Sequence, residues 1–137
     1  MATVTKYQEP GQFDLQAATL ITGEGTEVDL SNLVVQIEFY EDINANCVAG
    51  YIMIQDTVGL VNSAPIIGQE YLQILITTPS LTGQKSEINF TENLLHVTGI
   101  ADQFESGNNM TLTTLEFVTS EFIHNRRTRI ERQLQGE

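Results

Sequence analysis

Three apolar-rich runs between Asn32 and Pro79 frame the chain. In Leu33–Tyr40, Val35, Ile37 and Phe39 alternate with Gln36 and Glu38. In Val48–Gln55, Tyr51, Met53 and Gln55 alternate with Gly50, Ile52 and Ile54. In Tyr71–Thr77, Leu72, Ile74 and Ile76 oppose Tyr71, Gln73, Leu75 and Thr77. A period of two predicts strands with one buried face. The first two runs are joined by Glu41–Cys47, whose Asp42, Asn44 and Asn46 tolerate turns, so they predict a hairpin. Gly50 marks a bulge or a close backbone approach. Asp56 and Thr57 can cap a helical turn over Val58–Ser63, with Leu60 and Val61 inward, before Pro65 halts it.

Elsewhere the pattern is weaker. Residues 1–14 are polar and read as an arm. Leu15–Ile21 predicts a short strand or a single helical turn. Thr22–Asp29 and Ser80–Thr91 read as polar loops. Leu94–Phe104 and Met110–Val118 flank Glu105–Asn109, a strong turn signal, and predict a second hairpin. At Thr119 the period changes. Thr119 or Ser120 can cap a helix of up to four turns, with Ile123, Ile130 and Leu134 on one stripe. The expectation is a mainly β domain over 15–118, of about six strands, followed by a helix over 119–137. A sheet of that size must hide its edges, by closing into a barrel or by pairing with neighbouring subunits.

Charge narrows the function. The 137 residues carry 18 acids and 6 bases, a net charge of -12. A duplex phosphate backbone repels such a chain, which argues against generic nucleic-acid binding. Four of the six bases lie between Arg126 and Arg132, so residues 1–125 carry -14 and residues 126–137 carry +2. Body and tail of opposite sign can dock on one another or on repeated copies. Cys47 is the only cysteine. That excludes an internal disulfide and a thiolate-rich zinc site, and a lone thiol of this kind is expected to be buried. The first ten residues lack an apolar signal core, and no run is long enough to span a membrane as a helix.

No catalytic constellation emerges. His96 and His124 lack the spacing of a metal pair. Glu38, Glu41 and Asp42 cluster, but Glu38 alternates with apolar residues and is expected to face solvent. Asp102 and Glu105 read as strand end and turn. Arg126, Arg127, Arg129 and Arg132 have the geometry for carboxylate contacts. No enzyme activity, cofactor or metal is expected.

Two segments carry a family resemblance. The first has Phe39-Tyr40-Glu41, a glycine-containing strand ending Asp56-Thr57, then Leu60-Val61-Asn62, Pro65-Ile66-Ile67-Gly68-Gln69-Glu70 and a strand closed by Thr78-Pro79. The second runs from Leu115-Glu116-Phe117-Val118-Thr119-Ser120-Glu121 through Ile123 and Asn125 to Arg126-Arg127-Thr128-Arg129-Ile130. Together they resemble the N-terminal domain of the baseplate hub protein of T4-like contractile-tailed bacteriophages. The resemblance implies a tail-tube-like β-barrel or sandwich, with a short helix after the Val48–Gln55 strand and a C-terminal helix leading toward a second domain. It implies a virion structural protein, assembled in the host cytoplasm, in the ring that joins tail tube to central spike. A hub would be a trimer, and a tail-tube or tube-terminator subunit a hexamer, with DNA passing through the lumen. A ligand-binding β-barrel or an accessory hydrolase is the alternative of another class. Tyr40, Glu41, Tyr51, Tyr71, Arg126, Arg127 and Arg129 are the expected subunit-interface residues.

Overall fold

The computed structural model describes residues 11–57, 59–63, 65–78, 87–107 and 110–128. The described residues form eight strands and two helices in chain order: β1 (Asp14–Ile21), β2 (Glu27–Asp29), β3 (Val34–Tyr40), β4 (Ala49–Asp56), α1 (Leu60–Ser63), β5 (Tyr71–Thr77), β6 (Glu87–Asn89), β7 (Leu95–Ser106), β8 (Met110–Val118) and α2 (Ser120–Arg127). The strands form one antiparallel sheet in the order β2-β1-β5-β7-β8-β4-β3, with β6 also paired to β5. The two expected hairpins are β3–β4 and β7–β8.

Alternation decides which face is inside. β4 and β5 bury Ile52, Ile54, Leu72, Ile74 and Ile76, while their intervening residues stay partly exposed. Ala18 and Leu20 of β1, Leu95 and Val97 of β7, and Leu115 and Phe117 of β8 join them in one apolar cluster. Burying each of the larger side chains contributes roughly 1.5–3 kcal/mol. Strands from both ends of the sheet order feed this cluster, so the sheet curls over its own inner face. Phe39 on edge strand β3 stacks on Phe90, beside β6, with ring centroids 5.9 Å apart.

The curl does not close, which corrects the expected barrel or sandwich of six strands. Closure would require β2 and β3, the two ends of the order, to pair with each other. Neither does so among the described residues: β2 pairs with β1 and β3 with β4. The chain instead steps between them at a corner. Leu30 N–H donates to Ala18 C=O, and Gln55 N–H donates to Leu33 C=O, so the four residues 30–33 cross from one edge to the other. The two additional strands, β2 and β6, lie where the sequence read as loop.

Edges are left open as a result. Among the described residues β5 pairs with β7 only at Tyr71–His96 and Leu72–Leu95. Beyond Val97, β7 has β8 as its partner on one side alone among the described residues. Residues 100–106 of that strand are exposed throughout, with Ile100 and Phe104 among the exposed large hydrophobics. β7 therefore runs past Asp102 and Glu105, which belong to the strand itself rather than to its end and a turn.

Bulges shift the side-chain phase. Val34 pairs with Ile54 and Gln36 with Met53, leaving Val35 as the extra residue. Val35 is 54% exposed, although simple alternation places it with Ile37 and Phe39. Leu60 of α1 packs against the core. The Val61 side chain, residues 1–10, and the tail from Arg129 through Ile130 and Leu134 lie outside the described residues. α2 stops short of four turns. Thr128 is extended (φ -97, ψ 112), and its N–H closes the last turn on His124 C=O.

Candidate functional site

The outward face of β3 and β4 gathers a polar and aromatic group. On β3 the positions turned away from the core are Gln36, Glu38 and Tyr40, because Ile37 and Phe39 pack inward. The register sets Glu38 opposite Tyr51, and Tyr51 opposite Glu116 on β8. The Tyr40 and Tyr51 rings lie 6.2 Å apart at 44°. The Tyr40 hydroxyl donates to Glu38 Oε2, and the Gln36 amide donates to Glu38 Oε1 and to the Tyr51 hydroxyl. Hydrogen bonds from Tyr40, then Tyr51, hold the Glu38 carboxyl below its ordinary range. The same carboxylate pushes the Tyr51 phenol up to about 12 and raises Tyr40 as well. A hollow of about 250 Å³ opens here, lined by Tyr40, Tyr51, Thr98 and Glu116.

The interface residues expected from sequence divide into separate groups. Tyr40 and Tyr51 come together. Glu41 sits in the exposed turn that follows, beside Asp42, whose carboxylate accepts from the Asn44 N–H at 2.8 Å. Glu41, Asp42, Cys47 and Glu121 border a shallow hollow of about 280 Å³. Cys47 is half-buried, not enclosed as expected of a lone thiol. Tyr71 belongs to a different place, its ring tilted at 50° against His96 with centroids 4.4 Å apart. Burial, then the Arg127 charge, lowers the His96 pKa. Arg126 lies 5.6 Å from the Phe122 ring centroid. Both arginines are exposed, and Arg129 lies outside the described residues.

Thr119 fixes where α2 starts. It is the residue before the helix, but its side chain makes no capping bond. Its hydroxyl oxygen instead accepts the Val48 N–H at 3.2 Å, while its own N–H donates to Val48 C=O at 2.9 Å. The helix is thereby anchored to the entry of β4. Glu121 is held below the usual carboxylate range by its own backbone N–H and then by the Thr119 hydroxyl.

Glu70 is the buried acid the sequence did not single out. It is 2% exposed, and its carboxylate accepts three backbone N–H groups, from Ile67 at 3.0 Å, Gly68 at 2.8 Å and Gln69 at 3.0 Å. Gly68 has φ +84, so the loop can fold back around the side chain. The signal was present in Gly68 followed two residues later by an acid before an apolar strand. A groove of about 490 Å³ lies alongside, lined by Thr22, Thr26, Ser63, Pro65 and Ile67 among others. Glu70 borders it, but both carboxylate oxygens are engaged within its own loop.

Comparisons with family models, curated proteins and solved structures return no match. The surface is therefore read from its own chemistry. Among the described residues no group of three His, Cys, Asp or Glu is placed to hold a metal ion. No helix of the described residues is long and apolar enough to cross a membrane. The best-organised exposed group is the Gln36, Glu38, Tyr40 and Tyr51 cluster on the open flank of the sheet.

Proposed function

We propose that this chain is a structural subunit of a contractile phage tail, built into the baseplate hub ring where the tail tube meets the central spike. A place in the tail tube or its terminator would use the same surfaces. The observation that carries the reading is the open sheet edge: β3 and the outer part of β7 each have a strand on one side only among the described residues. Unpaired edges of that length favour pairing with another chain. Tyrosine-rich exposed faces are typical of subunit contacts. In this reading the strands bear load and perform no chemistry.

The resemblance supplies the virion assignment, and one of its motifs has a local physical role. Pro65–Glu70 is the loop that wraps its own glutamate ahead of β5. Such a loop sets the entry of a core strand whatever the subunit contacts.

Negative-stain imaging with sedimentation analysis of the purified chain tests assembly. Rings of three or six copies are expected. A monomer at all concentrations would overturn the proposal. Mass spectrometry of tailed particles from the source phage tests the location, with the chain expected at a few copies per tail for a hub and many for a tube.

A further inference from the structure

Deepening the ring-forming reading, and resting on it, we infer that the hollow between Tyr40, Tyr51 and Glu116 receives the arginine-bearing end of α2, Arg126 and Arg127, from a second copy of this chain. The hollow lies on the outward face of β3, β4 and β8 and measures about 250 Å³, room for one long side chain.

Three observations choose this occupant. The first is charge. β3, β4, β7 and β8 contain no lysine or arginine, and Glu38, Asp102 and Glu116 lie along the outward side of their registers. Such a face repels nucleic acid and anionic lipid and attracts a cation. The second is shape and chemistry. Two tyrosine rings at 44°, with Glu116 lining the hollow and Glu38 bonded to Tyr40 at its edge, offer a guanidinium both stacking and a charge-assisted hydrogen bond. Glu38 is already oriented by Tyr40 and Gln36, so little ordering is required on binding.

The third is where the cations are. Four of the chain's six bases fall in residues 126–132, and Arg126 and Arg127 are exposed at the C-terminal end of α2. Within one chain Arg127 does not line the hollow, though its charge reaches His96. One patch meeting a different patch makes a head-to-tail contact, the kind that closes rings.

A charge swap tests this on the full-length chain. One variant carries Glu38→Gln and Glu116→Arg, and the other carries Arg126→Glu and Arg127→Glu. Circular dichroism of each checks the fold. Sedimentation velocity of the wild type should show self-association that weakens about tenfold between low and high salt. Each variant alone should associate at least about tenfold more weakly, and an equimolar mixture of the two should recover association as mixed pairs or even-numbered rings, since every contact between unlike variants is complementary. Wild-type assembly unaffected by either variant, or two weakened variants whose mixture stays dissociated, overturns this docking while leaving ring formation intact. A wild type that never associates overturns both.

Discussion

Phe117 closes over Gly50. A methyl group at Gly50 would fall 2.7 and 2.9 Å from two carbons of the Phe117 ring and would collide with the Glu38 carbonyl. Phe39 and Phe117 both pair with Gly50 across the ladder, and their centroids are 5.4 Å apart. The missing side chain is what lets two neighbouring strands bring aromatic rings together. Gly50→Ala should therefore cost roughly 3 kcal/mol or more. Gly107→Ala, where a methyl meets nothing within 4 Å, should be near neutral. Urea unfolding of the two variants checks the contrast.

Glu70 should behave as a buried structural acid. Glu70→Leu leaves three backbone donors without their acceptor, and the loss should be about 3 kcal/mol or more. Glu70→Gln keeps one carbonyl oxygen and should lose roughly half as much. Thermal unfolding ranks the two. Equal stability of all three proteins would contradict the role given to this loop.

Tyr51 should titrate late. With its phenol at about 12, ultraviolet titration should show one tyrosine ionising well above 10, and Glu38→Gln should bring it down toward the ordinary value. The folded pKa is above the unfolded one. The stabilisation is thus complete below pH 10 and fades as pH rises through about 12.

His96 carries the opposite sign. Its folded pKa lies below the ordinary 6.5, chiefly through burial and secondly through Arg127. Folding favours the neutral ring. This contribution is complete above about 6.5 and is lost as pH falls through the folded pKa. Arg127→Ala should raise the His96 pKa only part of the way, as read by proton NMR, because burial remains.

Five of the longer strands were legible because each has enough residues to display a period of two, whereas Leu15–Ile21 stayed open between a strand and a helical turn and is strand β1. β2 (Glu-Val-Asp) and β6 (Glu-Ile-Asn) have three residues each and offer no period to read. Their formation depends on Ile21 and Leu75, residues far along the chain or across a turn. Bulges were hidden for a related reason. Val35 looks like a core residue until Met53 and Ile54 fix the register opposite it. The open sheet was illegible too, since closure turns on whether β2 and β3 share hydrogen bonds. Within the candidate surface, alternation set Tyr51 opposite Ile52 and Ile54, and the structure leaves Tyr40 exposed and Tyr51 half-buried. Glu38 as the acceptor that joins them could not be read from alternation, and neither could the pairing of Tyr71 with His96.

The partnership of β1 with β5 has a consequence for biosynthesis. Ile21 lies opposite Tyr71 and Asp14 opposite Thr77, so the first strand has no neighbour on that side until about fifty further residues have been made. Emerging from the ribosome, β1 waits while the β3–β4 hairpin zips locally, and the last ladder, β4 with β8, needs almost the whole polypeptide. Such long-range pairing implies slow folding, on the order of milliseconds to seconds. During that interval the bare strand is open to pairing with other chains, which makes slow folding an aggregation hazard.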